Sequence, residues 1–130
     1  MIRTLLIIFI LAFAAGAKGQ TTTPVSQPEK AMKTYYLVLL KKGPVRDQDS
    51  LTVNQIQAGH LAHMEKMHKE KRMCLGGPMA VNHEIRGICV YNTASLDEAV
   101  KYVNEDPAVI SGRLIAEVIP WYSESGNCLP

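Results

Sequence analysis

The sequence predicts an α+β fold in which four strands and two helices follow one another in the order β-α-β-β-α-β. Two observations support this prediction. Apolar and β-branched runs of strand length alternate with segments whose apolar residues recur every three or four positions, as on one face of a helix. Glycine, proline and aspartate residues stand at the boundaries between these segments, where they end strands and helices.

The first strand is predicted over residues 34–41, which are rich in aromatic and apolar side chains, and it ends before Gly43-Pro44. Ser50 or Thr52 can cap the first helix, which is expected to continue to about Lys69. One face of this helix should pack on the sheet, because its apolar residues and one histidine lie on a single stripe: Val53, Ile56, His60, Met64 and Met67.

The second and third strands are predicted over residues 73–75 and 87–92, and Gly76-Gly77-Pro78 is expected to end the second strand. A hairpin that turns near residues 81 and 82 sets two strand cysteines opposite each other. This pair either forms a disulfide, which an oxidising compartment allows, or remains as two free thiols. The two residues are Cys74 and Cys89, and Cys128 is left over near the end of the chain.

Ser95 and Glu98 form a capping box that opens the second helix. Asp106-Pro107 ends this helix, because the residue before a proline avoids the helical conformation. The fourth strand is predicted over residues 114–119 and ends at Pro120. This order of elements is the ferredoxin-like pattern, with both helices on one face of a four-stranded antiparallel sheet. The other face is apolar and uncovered, which predicts a two-fold homodimer.

The two ends of the chain are expected to lie outside the folded domain, which spans residues 34–122. Residues 1–19 are typical of a signal peptide, because a basic residue precedes a short apolar run and Ala17-Lys18-Gly19 supplies the small residues of a cleavage site. Residues 20–33 are polar and are expected to form a flexible linker, and residues 123–130 a C-terminal tail. The mature protein is therefore expected to be periplasmic or secreted.

The charge balance argues against nucleic acid as a partner. The chain contains 14 Lys and Arg residues and 12 Asp and Glu residues, and loss of Arg3 and Lys18 with the signal peptide makes the two groups equal. A nucleic-acid-binding protein needs a basic surface. The apolar run of the signal is shorter than the roughly 20 residues that cross a bilayer, so we expect no membrane partner after cleavage.

Short motifs spread over about residues 34–122 are weak one by one and specific as an ordered set. They are Tyr35 to Leu39, His60-Leu61, Gly77-Pro78, Arg86-Gly87, Ser95 to Ala99, Asp106 to Val109, Ser111-Gly112-Arg113 and Pro120-Trp121-Tyr122. Through this ordered set of motifs, the chain resembles the YciI-like (YCII-related) family, within the dimeric α/β-barrel superfamily. It departs from the family pattern where Lys71-Arg72 replaces a Gly-Lys that is common between the first helix and the second strand.

The resemblance implies a homodimer with a small-molecule pocket near the sheet and an active site formed by His60 and Asp106. A characterised relative eliminates chloride from a chlorinated hydroxyquinol, and muconolactone isomerases share the superfamily. The resemblance thus favours a lyase or isomerase that acts on a small cyclic substrate by moving protons, and we expect no cofactor. Most members have no known reaction, so a non-catalytic module that binds a small ligand is the alternative.

Each candidate site residue also has a purely structural explanation. His60 is either a general base whose tautomer Asp106 fixes or a buried histidine bonded to backbone, and Asp106 is also a plausible end of a helix. Arg113 and Arg86 either hold a substrate carboxylate or phenolate or pair with surface glutamates such as Glu105 and Glu117. Two aromatic residues either line the pocket or pack in the core or the dimer contact: Tyr36 and Trp121.

A histidine- and methionine-rich stretch supplies soft ligands of the kind that copper prefers: His60, His63, Met64, Met67, His68, Met73 and Cys74. Met64 and Met67, however, belong to the predicted core stripe. On a helix the side chains of His63 and His68 diverge from that of His60 in opposite directions, so the three histidines do not converge. We therefore expect no metal site, and a periplasmic metal-binding protein is the third function class considered. A cysteine nucleophile is disfavoured, because the strand cysteines are expected to be structural.

Overall fold

A computed structural model of the chain describes residues 31–126, so the predicted signal peptide, nearly all of the predicted linker and Cys128 lie outside the described residues. Within this part of the chain, no helix is long and apolar enough to cross a membrane. The elements are β1 (Met32–Lys42), α1 (Ser50–Lys69), β2 (Met73–Pro78), β3 (Ile85–Tyr91), α2 (Leu96–Asn104), α3 (Pro107–Ile110) and β4 (Leu114–Glu124).

The four strands form one antiparallel sheet in the order β2-β3-β1-β4, which confirms the predicted α+β, ferredoxin-like fold. β1 pairs with β4 along its whole length and with β3 on its other side. Alternate residues of β1 are buried against the helices: Tyr36, Val38 and Leu40 share a core with Met67 of α1 and Val103 of α2. The core therefore lies between the helices and one face of the sheet.

All four strands extend beyond their predicted bounds, and β3 does so at its start, Ile85. β2 continues through Gly76-Gly77-Pro78, and a Cβ atom added at Gly76 would lie 2.7 Å from the Cε atom of Met64. The glycine thus marks a close approach to α1 and not the end of the strand. β4 passes through Pro120, which is tolerated because β4 is an edge strand. β1 begins at Met32, two residues before the predicted start.

The helix starts are fixed by side-chain caps. Asp49 caps α1 in place of the predicted Ser50 or Thr52, and its Oδ1 atom accepts a hydrogen bond of 2.9 Å from the Thr52 N–H. Ser95 caps α2 as predicted, and its Oγ atom accepts a hydrogen bond of 3.1 Å from the Glu98 N–H. Each cap satisfies one of the N–H groups that have no partner inside the helix.

The register of the β2–β3 hairpin separates the two described cysteines. Cys89 pairs with Gly76 and not with Cys74, and an irregularity between Met73 and Leu75 displaces Cys74 from the ladder. Cys89 is 1% exposed beneath the helices, whereas Cys74 is exposed. Both are free thiols, so the disulfide alternative is wrong and the free-thiol alternative holds.

We expect a Cys128→Ser variant to show one rapidly reacting thiol when folded and two after denaturation without reductant. Cys74 is exposed, whereas burial, with a smaller effect of Asp106, raises the pKa of the Cys89 thiol to about 12 and keeps it protonated at neutral pH. Thiol titration before and after denaturation gives both counts. A denatured protein without free thiols would show that the two cysteines are bridged and that the hairpin has another register.

Candidate functional site

His60 of α1 and Asp106, the residue before α3, form a hydrogen-bonded contact that is largely buried. The Nδ1 atom of His60 lies 2.7 Å from the Oδ2 atom of Asp106. The side chain of His60 is 14% exposed and that of Asp106 is 4% exposed. The contact between these residues that the sequence predicts is therefore present, although the residues are far apart in the chain.

Local backbone geometry holds Asp106 in this position. Asp106 ends the turn after α2 and caps α3, a single helical turn that is not predicted from the sequence. Its Oδ1 atom accepts a hydrogen bond of 2.9 Å from the Ala108 N–H, and Pro107 occupies the first helical position, where no N–H is needed. Because one carboxylate oxygen is engaged in the cap, the other oxygen is available to His60.

Helix α1 comes unusually close to α3 beside this contact. A Cβ atom added at Gly59 would lie 3.0 Å from the Cγ atom and 3.2 Å from the Cβ atom of Pro107, which is tighter than ordinary packing. The absence of a side chain at Gly59 therefore allows the backbone of α1 to approach α3. The next residue, His60, can then reach Asp106 directly.

The Asp106 carboxylate fixes the tautomer of His60. An ionised carboxylate only accepts hydrogen bonds, so the Nδ1 atom of His60 must carry the hydrogen that it donates to Asp106. In the neutral ring the Nε2 atom then has a free lone pair. Because His60 lines the cavity described next, this nitrogen is the basic atom that the pair can present to a bound molecule.

The cavity beside His60 has a volume of about 670 Å³ and lies between α1 and the sheet. Its volume is in the range of sites that bind small molecules. Apolar side chains form much of its wall, and Leu40, Met64 and Leu114 are among them. The polar groups around it include a glutamine, a glutamate, a second histidine and arginines. This mixture suits a small ring compound with polar substituents.

Both arginines that the sequence predicts as binding residues line this cavity. Arg113 donates from Nη1 to the Oε1 atom of Gln48 at 2.8 Å. Arg86 donates from Nη1 to the Oδ1 atom of Asn82 at 2.7 Å. In the part of the chain that the structure describes, neither arginine forms an ion pair with a glutamate. Their charges therefore remain available to a ligand.

A third arginine, Arg46, lines the same cavity and is not predicted from the sequence. It lies in the loop between β1 and α1, which is bound to the start of β4: the Gly43 N–H donates to the Arg113 carbonyl at 2.8 Å, and the Val45 N–H donates to the Gly112 carbonyl at 3.2 Å. A Cβ atom at Gly43 would lie 2.1 Å from the Gly112 oxygen, so only glycine permits this approach.

The three arginines affect one another electrostatically. Burial lowers the pKa of Arg46 below its ordinary value, and the positive charges of Arg113 and Arg86 lower the pKa further. Glu84 acts in the opposite direction and has the smallest effect of the four. The wall of the cavity that carries these guanidinium groups is therefore a region of positive charge.

The two aromatic residues predicted at the site lie away from the cavity. Tyr36 is 8% exposed and belongs to the core. Trp121 is 44% exposed, lies opposite Tyr35 in the β1–β4 ladder, and has its ring centroid 6.3 Å from that of Tyr35. The prediction that they line the cavity is wrong, because strand alternation places Trp121 on the other face of the sheet and Tyr36 is enclosed by the core.

Among the residues that the structure describes, other nucleophiles and metal ligands do not assemble into a second site. Cys89 lies beside Met64, with 3.9 Å between the two sulfur atoms, and its raised pKa makes it a poor nucleophile. Within residues 31–126, no three His, Cys, Asp or Glu side chains lie close enough to hold a metal ion. His63 is buried, although its position next to the apolar stripe of α1 does not predict this. Its Nε2 atom has no hydrogen-bond partner among the described residues.

Comparison with known proteins adds two findings. The sequence profile of the YCII-related domain matches residues 34–122, which is more than half of the chain. The structure is similar to 5-chloro-2-hydroxyhydroquinone dehydrochlorinase from Burkholderia phenoliruptrix AC1100 in complex with 2,5-dihydroxybenzoquinone, with a TM-score of 0.51, 24% sequence identity, and coverage of 67% of this chain and 92% of that chain. No curated protein sequence matches the chain.

We expect Asp106→Asn to reverse the tautomer of His60 while the fold is kept. The amide oxygen can still cap α3, but the NH₂ group then donates to the Nδ1 atom of His60, and the ring proton must move to Nε2. Long-range ¹H–¹⁵N NMR correlations of the histidine rings report the tautomer directly. Asp97→Asn, in the exposed first turn of α2, is the control and should leave His60 unchanged.

Asp106→Ala removes the cap as well as the His60 contact, so it should lower the free energy of unfolding by about 2 kcal/mol in urea denaturation. Asp106→Asn should cost less. An unchanged His60 tautomer in Asp106→Asn would contradict the assignment of Nδ1 as the donor.

Proposed function

Because the chain belongs to the family of YCII-related domains, we propose that it is an enzyme that processes a small cyclic molecule as a lyase or an isomerase. In this proposal His60 is the general base and Asp106 positions it. One observation supports the proposal most: a histidine whose Nδ1 atom is held 2.7 Å from a buried carboxylate lines a cavity of about 670 Å³.

The proposed reaction begins when a C–H or O–H proton of the substrate moves to the Nε2 atom of His60. The electron pair left behind is shared between the ring of the substrate and an oxygen atom, whichever of the two proton types is removed. The Asp106 carboxylate stabilises the imidazolium ion through the Nδ1–H hydrogen bond and does not itself take the proton. The positive charges of Arg86 and Arg113 on the wall of the same cavity favour the negative charge that develops on the substrate.

Two reactions are open to this intermediate. Where the substrate carries a leaving group on an adjacent carbon, the electron pair expels that group as an anion, the imidazolium ion releases its proton to water, and the reaction is an elimination. Where it carries none, the imidazolium ion returns the proton to a different carbon, and the reaction is an isomerisation. The similar dehydrochlorinase is by name an enzyme of the first kind, but at 24% identity that similarity supports only the fold. The chemistry is therefore proposed from the site.

We also propose that two copies of the chain pair through the sheet face that the helices leave uncovered. Ile115, Ile119 and Trp121 of β4 lie on this face and are 49%, 37% and 44% exposed. Leu37 and Leu39 of β1 lie on the same face beside them, and one ion pair, between Lys41 and Glu117, interrupts the apolar side chains. Soluble monomers rarely expose large apolar patches, and a two-fold partner removes these side chains from water.

His60→Ala is expected to reduce turnover by about 10²-fold or more, because general-base catalysis is lost. The wild-type protein is assayed for chloride release from 5-chloro-2-hydroxyhydroquinone, and with a panel of cyclic hydroxy acids and lactones in D₂O, where NMR detects deuterium uptake by the substrate. Lys66→Ala, on the exposed side of α1, is the control and should retain wild-type turnover.

Turnover that survives His60→Ala would contradict the assignment of His60 as the base. Wild-type protein that binds members of the panel but neither converts them nor exchanges their protons would contradict the enzymatic proposal and favour a ligand-binding module.

Light scattering at micromolar concentration is expected to give the mass of two chains, and Ile119→Glu should give a monomer because it introduces a charge into the apolar contact. Val81→Glu, at a 69% exposed position in the β2–β3 loop, is the matched control and should remain dimeric. A monomeric wild-type protein would contradict the proposed dimer.

A further inference from the structure

We propose that Arg46, Arg86 and Arg113 form a carboxylate-binding subsite, so that the molecule that enters the cavity is a small cyclic carboxylic acid. The assignment of this acid as a substrate rests on the proposed function of His60. The subsite itself rests only on the arginines, their partners and the cavity that they share, and it can be tested without any turnover.

Backbone contacts bring the three arginines together from separate parts of the chain. Arg46 follows β1, Arg86 lies in β3, and Arg113 directly precedes β4, yet all three line one cavity. The loop after β1 is bound to Arg113 through the Gly43 N–H, at 2.8 Å from the Arg113 carbonyl. The end of β1 is bound to the segment before Arg86, because the Lys42 N–H donates to the Glu84 carbonyl at 2.8 Å.

Two of the three arginines of the cavity, Arg86 and Arg113, are oriented by neutral groups. Arg113 donates to the side-chain oxygen of Gln48, and Arg86 donates to the side-chain oxygen of Asn82 at 2.7 Å and to the His83 carbonyl at 3.4 Å. An amide or carbonyl oxygen fixes the direction of a guanidinium group without cancelling its charge. The side chains are therefore held in place while their full positive charge is kept.

The ion pairs of the described residues lie at other positions, and Glu84 has only the smallest of the four effects on the pKa of Arg46. Arg72, which lies outside the cavity, forms an ion pair of 2.6 Å with Glu98. Its charge is therefore neutralised within the protein. Glu65 lines the cavity, but its Oε1 atom lies 2.7 Å from the Nζ atom of Lys69. Among residues 31–126, no ion pair involves Arg46, Arg86 or Arg113.

Three guanidinium groups on one cavity repel each other, and the lowered pKa of Arg46 reflects this repulsion in part. A negative charge between them converts the repulsion into attraction. The anion must already be ionised at neutral pH. A carboxyl group, with a pKa near 4, meets this condition, whereas a phenol, with a pKa near 10, does not. A carboxylate also accepts two parallel N–H bonds from one guanidinium group.

The remaining wall of the cavity indicates what carries the carboxylate. Leu40, Met64 and Leu114 provide apolar surface beside the arginines. A free inorganic ion leaves this surface in contact with water, whereas an apolar ring covers it and gains the free energy of burial. The combination of an apolar wall and a cluster of arginines therefore suits a ring compound that carries a carboxylate.

Isothermal titration calorimetry with 2,5-dihydroxybenzoate and with hydroquinone tests the subsite, because the two probes differ only in the carboxylate. We expect the wild-type protein to bind the acid at least about tenfold more tightly, as hydrogen bonds to a charged group predict. Arg46→Gln and Arg113→Gln should each reduce binding of the acid by about tenfold and leave binding of hydroquinone unchanged. Arg72→Gln removes a positive charge outside the cavity and should change neither affinity.

Equal affinities of the wild-type protein for the two probes would overturn the proposal. So would a preference for the acid that survives in both Arg46→Gln and Arg113→Gln, or inorganic phosphate that competes as strongly as the acid. His60→Ala should keep the preference, since the base is not part of the subsite. A preserved preference with no turnover of any acid would contradict the proposed catalysis and leave the subsite in place.

Discussion

The Asp106 carboxylate is the group on which the site depends, because its two oxygen atoms hold different parts of the chain. Oδ1 caps α3 through the Ala108 N–H, and Oδ2 accepts a hydrogen bond from His60 of α1. Removing a carboxylate from water costs free energy unless hydrogen bonds replace its hydration. The cap and the imidazole supply these bonds. A long helix and a single helical turn are thereby held in a fixed relation, with a histidine at their contact.

Two glycines allow the close backbone approaches that this site requires. Gly59 lets α1 come within van der Waals reach of Pro107, and Gly43 lets the loop after β1 lie against the Gly112 carbonyl. In each case a functional side chain follows the glycine within a few positions: His60 after the first and Arg46 after the second. The positions of His60 and of Arg46 therefore both depend on a close backbone contact that a Cβ atom would prevent.

Local rules were sufficient for the order of elements. Helical periodicity placed His60 on the inward face of α1, and the Asp–Pro pair placed Asp106 at the end of α2, but the pairing of the two was implied by the family resemblance and not by these rules. The same rules failed where contacts between residues distant in sequence determine the local structure. Gly76 indicated the end of β2 but allows close packing against Met64, and Cys74 was misplaced because the hairpin register and an irregularity between Met73 and Leu75 remove it from the ladder. Arg46 lies in a loop without periodicity, and hydrogen bonds to residues distant in sequence determine its position.

The chemistry of the Asp106 side chain favours the proposed functional role of the pair over a purely structural one. A helix cap needs one acceptor oxygen, which a neutral amide supplies equally well. A buried histidine needs partners for its N–H groups, and a backbone carbonyl is sufficient. A carboxylate that is 4% exposed costs more to bury than either neutral group. Its charge adds a stronger hydrogen bond to Nδ1 and, above all, stabilises the ring when Nε2 is protonated. That benefit is realised only when His60 gains a proton, as it would in the proposed role of a general base and would not as a packing residue.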